Sequence, residues 1–195
     1  MDILGALLAV ASYFSGCVPA AVIIARRVKG IDIRHAGSGN PGAANVYRMV
    51  GPGAGYATLA ADALKGYLPV FLAQAIFPES TGLHCICAGL AVTGHLHSVF
   101  QGFHGGKGVA TAAGAFAALI PQAMFPTVLI FIAGVGLSGH ISLGSIVGTA
   151  AMPFLVSAMH PPWPMTVLAW ITAAVILFKH IPNIRHLMRK EEPDE

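Results

Sequence analysis

The chain has 195 residues, of which 55% are hydrophobic and 10% charged, with 23 Gly, 13 Pro and a formal net charge of +3. An ordinary soluble domain is about a quarter charged, so this balance excludes one. The expected fold class is all-α, a polytopic membrane protein in which residues 1–195 form a single transmembrane domain.

Apolar runs recur in chain order at about residues 3–25, 54–77, 82–100, 108–120, 122–138, 142–159 and 164–180. Several approach the ~20 residues that a spanning helix needs. About seven transmembrane helices follow, with the short fourth and fifth divided by Pro121. The start, MDILGALL, has no basic segment, so no cleaved signal peptide is expected. Cys17, Cys85 and Cys87 all sit in apolar segments and read as free, buried thiols. The basic residues fix an orientation. Arg26, Arg27, Lys29, Arg34 and Arg48 follow the first run, Lys107 the third, and Lys179, Arg185, Arg189 and Lys190 the last, so ten of the 11 Lys and Arg residues share one side. Positive loops mark the cytoplasmic side, which places the N-terminus outside and the C-terminus inside. The positive charge is therefore a topology signal and gives no reason to expect a nucleic acid partner.

The first basic connection contains GSGNPGAANVYR, residues 37–48, with a literal G-x-G-x-x-G at Gly37, Gly39 and Gly42 and an acid, Asp62, twenty residues later. A dinucleotide-binding turn needs a buried strand before the glycines and the acid on the next strand. Here the charged, broken IDIRHA precedes them, and Asp62 lies in an apolar helix beside Lys65, three residues away on the same face. That reading fails on context. Closely spaced glycines let backbone N–H groups converge on an anion, while Ser38, Asn40 and Asn45 add neutral donors and Arg48 a cation. The loop is suited to phosphate, or is a flexible connector. The Asp62–Lys65 pair is costly in a membrane unless partnered, and is either structural or functional.

The second basic connection, HLHSVFQGFHGGKGVAT (95–111), sets Gly105, Gly106 and Gly108 around Lys107 at an expected helix start, with Thr111 in the first turn. Helix N-termini offer free N–H groups and a positive dipole end, so this is a second anion cradle, or else close helix packing with one topological lysine. A Walker A loop would need Gly at 101 and Ser or Thr at 108, where the chain has Gln101 and Gly108. At the end of the last run, FKHIPNIRHL (178–187) places His180 and Asn183 three apart with Arg185 and His186 nearby. His95, His97 and His104 add imidazoles on the same side, without the spacing of a metal site. Three clusters of glycines or amides beside cations thus converge on one membrane face.

Nearly the whole chain resembles, in order, the bacterial acyl-phosphate:glycerol-3-phosphate acyltransferases. The likeness runs through SGCVPAAVIIARRVKGIDIRHAGSGNPGAANVYR, DALKG, GHLHSVFQGFHGGKGVAT, SLGSI and HIPNIRHL. It implies seven membrane helices in the bacterial cytoplasmic membrane, an active site on the cytoplasmic face, and acyl transfer from acyl phosphate to the 1-hydroxyl of glycerol-3-phosphate. The implied site comprises Ser38, Arg48, Lys107, His180, Asn183 and His95 as catalytic residues. Gly37, Gly39, Asn40, Gly42, Asn45, Gly105, Gly106, Gly108 and Thr111 bind substrate phosphate, with no metal and no cofactor. The proton acceptor is either His95 or a substrate phosphate oxygen. The expected partners are the two substrates and membrane lipids. The chain departs from the family pattern at Ala44, Ser98, His186 and Lys190, while Glu192 matches it. The H-x-x-x-x-D pair of acyl-CoA-using enzymes is missing: five residues after His35, His95 and His180 stand Asn40, Phe100 and Arg185. A small-anion transporter is the rival reading, against which stand two glycine motifs that differ from each other and share one face.

Overall fold

The structure, a computed structural model, describes residues 2–188, with side chains to Arg185. The side chain of His186 and the residues Arg189, Lys190 and Glu192 lie outside it. Helix α1 (Ile3–Cys17) starts at Asp2, whose carboxylate accepts the Gly5 N–H at 2.8 Å. Proline has no N–H and its ring clashes with the preceding turn. Pro19 therefore interrupts the helix, and α2 (Ala20–Lys29) resumes it to the αL glycine Gly30. The first predicted run is thus two helices, and the break takes from the Cys17 and Val18 carbonyls their α-helical N–H partners, with Val18 accepting the Ala20 N–H at 3.0 Å instead.

The rest follows as α3 (Ala43–Met49), α4 (Pro52–Ile76), α5 (Thr81–Leu96), α6 (Val109–Leu119), α7 (Pro121–Ser138), α8 (Ile141–Ala158), α9 (Trp163–Lys179) and α10 (Ile181–Met188), with short 3-10 turns at Ile33–His35 and Val99–Gln101. Every predicted apolar run is helical, and α6 and α7 part at Ile120–Pro121. Among the described residues, four segments are long and apolar enough to cross a membrane: Ile3–Lys29, Thr81–Gln101, α7 and α8. Helices α6 and α9 are apolar but shorter. Helix α4 has the length, 25 residues, but Asp62, Lys65 and its glycines dilute its apolar character.

Helices pack in a membrane by close backbone approach more than by hydrophobic burial. Gly16 of α1 faces the Ala91 carbonyl of α5, Gly66 of α4 faces that of Thr111 in α6, and Gly114 of α6 faces that of Ala63 in α4. A side chain at any of these positions would overlap backbone. Helices α7 and α8 close in the same way at Gly134 and Gly144. The main core gathers Phe116, Leu119, Ile120, Met124, Met152 and Val156. Leu7, Leu72, Phe125 and Phe154 point outward, as an apolar belt facing lipid requires. The three polar clusters lie at one end of the bundle, on the connections after α2, after α5 and after α9.

Candidate active site

The first loop is built around Asn45, which is 1% exposed. Its amide donates to the carbonyls of Ile33 (3.2 Å), Ala36 (2.9 Å) and Asn40 (3.2 Å), and its carbonyl oxygen accepts the Ser38 N–H at 3.1 Å. Gly37 and Gly39 turn the chain at φ 57 and 69. A larger residue at Gly37 would displace Asn45. Asn45 was expected to donate to phosphate. Its donors instead hold the loop in shape, which leaves the exposed Ser38 and the half-buried Asn40 facing outward. Gly42 is the N-cap of α3, whose last turn presents Arg48. The neighbouring charges are committed elsewhere. Asp32 accepts from Arg34 at 2.6 and 2.9 Å and from Arg26 at 2.9 Å, and the guanidinium of Arg34 holds its carboxyl well below the usual carboxylate range. Lys29 donates to the Met49 carbonyl at 2.7 Å.

In the second loop the glycines divide their work. The N–H groups of Gly105 and Gly106 donate to the Leu96 and His95 carbonyls, both at 3.1 Å, and so pin the loop back onto α5. The expectation that they cradle an anion is not met by this geometry. Gly108, at φ 86, caps α6, and among the described residues the N–H groups of Val109, Ala110 and Thr111 have no backbone acceptor. That helix start leaves three N–H groups for an outside acceptor. Thr111 is wholly buried and turned toward Gly66 of α4, with its hydroxyl unpartnered. Lys107 precedes the helix, half-buried, and its ammonium donates to the Asn183 side-chain oxygen. Burial, reinforced by the charge of Arg48, lowers its pKa to about 8. The second and third clusters therefore meet at Lys107, and the first loop reaches the second where the Pro41 carbonyl approaches Gly106.

His180 caps α9 and is 2% exposed. Its Nδ1 donates to the Ile176 carbonyl at 2.8 Å, which leaves Nε2 as the acceptor of the neutral ring. Pro182 is the second residue of α10, where no N–H is needed, so helical turning continues and Asn183 reaches Lys107.

Below the second loop lies a buried charge cluster. Lys65 bonds Asp62 at 2.8 Å and the Val18 carbonyl, freed by Pro19, also at 2.8 Å. His95 Nδ1 stands 3.7 Å from the Asp62 carboxylate, beyond direct hydrogen bonding, and its Nε2 lies against Gly106. At 6% exposure His95 supports the loop from beneath. The family departure at Ser98 is also accommodated, since its hydroxyl donates to the Cys17 carbonyl at 2.7 Å. The α1–α2 break was missed in the sequence although Pro19 marked it, and both bonds depend on it. Among the described residues no group of three or more His, Cys, Asp or Glu side chains gathers as a metal site.

An apolar cavity of about 270 Å³ opens beside the start of α6. Val109 and Ala110 of α6 line it with Leu59 of α4, Ile176 of α9, Phe131 and Met124 of α7, and Ser145 and Met152 of α8. Thr127 and Ser145 bond their hydroxyls to carbonyls of their own helices, which keeps the walls apolar.

A family model described as glycerol-3-phosphate acyltransferase matches residues 6–190. Glycerol-3-phosphate acyltransferase 2 of Moorella thermoacetica is 44% identical over 183 residues, covering 94% of this chain and 93% of its own. The glycerol-3-phosphate acyltransferase of Geobacter sulfurreducens is 40% identical over 187 residues, covering 95% of each. The fold matches crystal structures of PlsY (YgiH), an integral membrane glycerol 3-phosphate acyltransferase, at 31% identity. Its glycerol 3-phosphate form superposes with a TM-score of 0.91 over 98% of this chain and 95% of that one. Its lysophosphatidic acid form gives 0.89 over 96% and 93%.

Proposed function

The chain belongs to the glycerol-3-phosphate acyltransferase family, and we propose that it moves the acyl group of acyl phosphate to the 1-hydroxyl of glycerol-3-phosphate, yielding lysophosphatidic acid and inorganic phosphate, the opening step of phospholipid synthesis. One observation carries the choice of donor: the open N-terminus of α6, which begins two residues after Lys107, lines an apolar cavity. A headgroup that is anionic and a tail that is hydrocarbon fit that junction.

Acyl phosphate is a mixed anhydride, already activated, so no cofactor is required. The hydroxyl oxygen bonds to the acyl carbon, the carbon–oxygen bond to phosphate breaks, and phosphate leaves with the electron pair. The hydroxyl proton passes to a phosphate oxygen. The burial of His95 beneath Gly106 supports this acceptor over an imidazole base. Lys107 and the α6 N–H groups stabilise the charge that develops as phosphate departs, a role in which preorganised donors act strongly. Arg48, with Ser38 and Asn40 on the first loop, holds the second phosphate, and His180 and Asn183 close that side. Positioning two phosphates in one site supplies the remaining advantage. The site sits on the cytoplasmic face of a seven-helix protein of the bacterial cytoplasmic membrane, N-terminus outside.

Purified protein supplied with glycerol-3-phosphate and either palmitoyl phosphate or palmitoyl-CoA tests the donor. Turnover with palmitoyl phosphate alone is expected, and comparable turnover with palmitoyl-CoA would overturn it.

A further inference from the structure

Resting on the acyl-transfer reading, we infer that Met124 and Met152 form the floor of the acyl cavity and set the donor's chain length. The exposed and buried walls of the cavity differ in kind. At its sides, Leu59 of α4 and Val128 of α7 are 44% and 43% exposed, so a tail can enter laterally. Deeper, Ala112, Met124 and Met152 are buried. There the cavity reaches the main core, in which the two methionines cluster with Phe116, Leu119 and Val156.

The depth is short for a membrane lipid. Seven residues separate Phe131 from Met124 along α7 and Ser145 from Met152 along α8. At 1.5 Å per residue that is about 10 Å on both walls. One leaflet of a hydrocarbon core is about 15 Å, half of the ~30 Å bilayer interior. A straight tail of full membrane length therefore meets the methionines before its end, and each further methylene must deform the floor or fold back. Methionine is unbranched and adaptable, so the limit is graded rather than absolute. A misfitting methylene in an apolar pocket is worth about tenfold or more in discrimination.

The test is kcat/KM of the purified protein across a series from octanoyl to stearoyl phosphate, with Met152→Ala and Met152→Phe. Deepening the floor should raise the stearoyl-to-dodecanoyl ratio about tenfold, and raising the floor should lower it by a similar factor. Opposite shifts cannot come from weakened folding, which lowers every donor in parallel. An unchanged ratio, or parallel loss across the series in both variants, would overturn the inference and leave the tail running sideways into the bilayer. If the unaltered protein consumed no acyl phosphate of any length, the acyl-transfer reading itself would fall, and the floor with it.

Discussion

Lys107 joins the second and third clusters, and its chemistry is set by where it sits. Burial and the charge of Arg48 bring its pKa to about 8, so the ammonium is present below that pH and is lost as pH rises through it. The profile of kcat/KM reports the free enzyme, and an alkaline fall centred near pH 8 is expected there. Lys107→Met should lower kcat by about 10²–10³ with the protein still folded in detergent, the usual loss for one donor to a developing anion. Lys107→Arg should recover little, because a broad planar fork replaces a compact ammonium, and its residual rate should be flat across pH 8. A normal kcat in Lys107→Met would return the residue to a topological charge. At this scale the sequence reveals residue types better than their duties. The cation, the helix start and the amide at Asn183 were readable from spacing. That Asn45, Gly105 and Gly106 spend their hydrogen bonds on loop shape was not, because an amide beside glycines has the same pattern whether it faces a ligand or the carbonyls of Ile33 and Ala36.

Helix α4 carries a charged pair into the bundle and finds it partners. Lys65 is held by Asp62 and by the carbonyl that the α1–α2 break exposes, so the pair belongs to packing as much as to charge. Removing one member strands the other. Asp62→Leu alone is expected to lower stability by about 3–5 kcal/mol, whereas Asp62→Leu with Lys65→Met should be far milder. Thermal unfolding in detergent distinguishes them, and a double variant as damaged as the single one would show that a stranded charge is not the source of the loss. The helices themselves were legible from apolar runs and from Pro121, since lipid demands long apolar segments. The break at Pro19 was hidden by the unbroken hydrophobicity around it. The helix α3 was hidden too, being a seven-residue helix organised by a buried Asn45 rather than by periodicity.

The whole molecule places its chemistry at one end and its apolar volume behind it. Grouped basic loops argue that this end is cytoplasmic. In a background without Cys17, Cys85 and Cys87, a cysteine at the well-exposed His35 should resist an impermeant thiol reagent on intact cells, and one at the exposed Glu79 should react. Labelling of both from outside would refute the topology. The central claim is that this end joins two phosphate-bearing substrates in a single transfer. The most direct measurement is phosphate release from palmitoyl phosphate by the purified protein, with and without glycerol-3-phosphate, alongside the lysophosphatidic acid formed. Direct transfer predicts release only when glycerol-3-phosphate is present, in equal amount to the lysophosphatidic acid made. Release that proceeds without glycerol-3-phosphate, or no release under either condition, would contradict it.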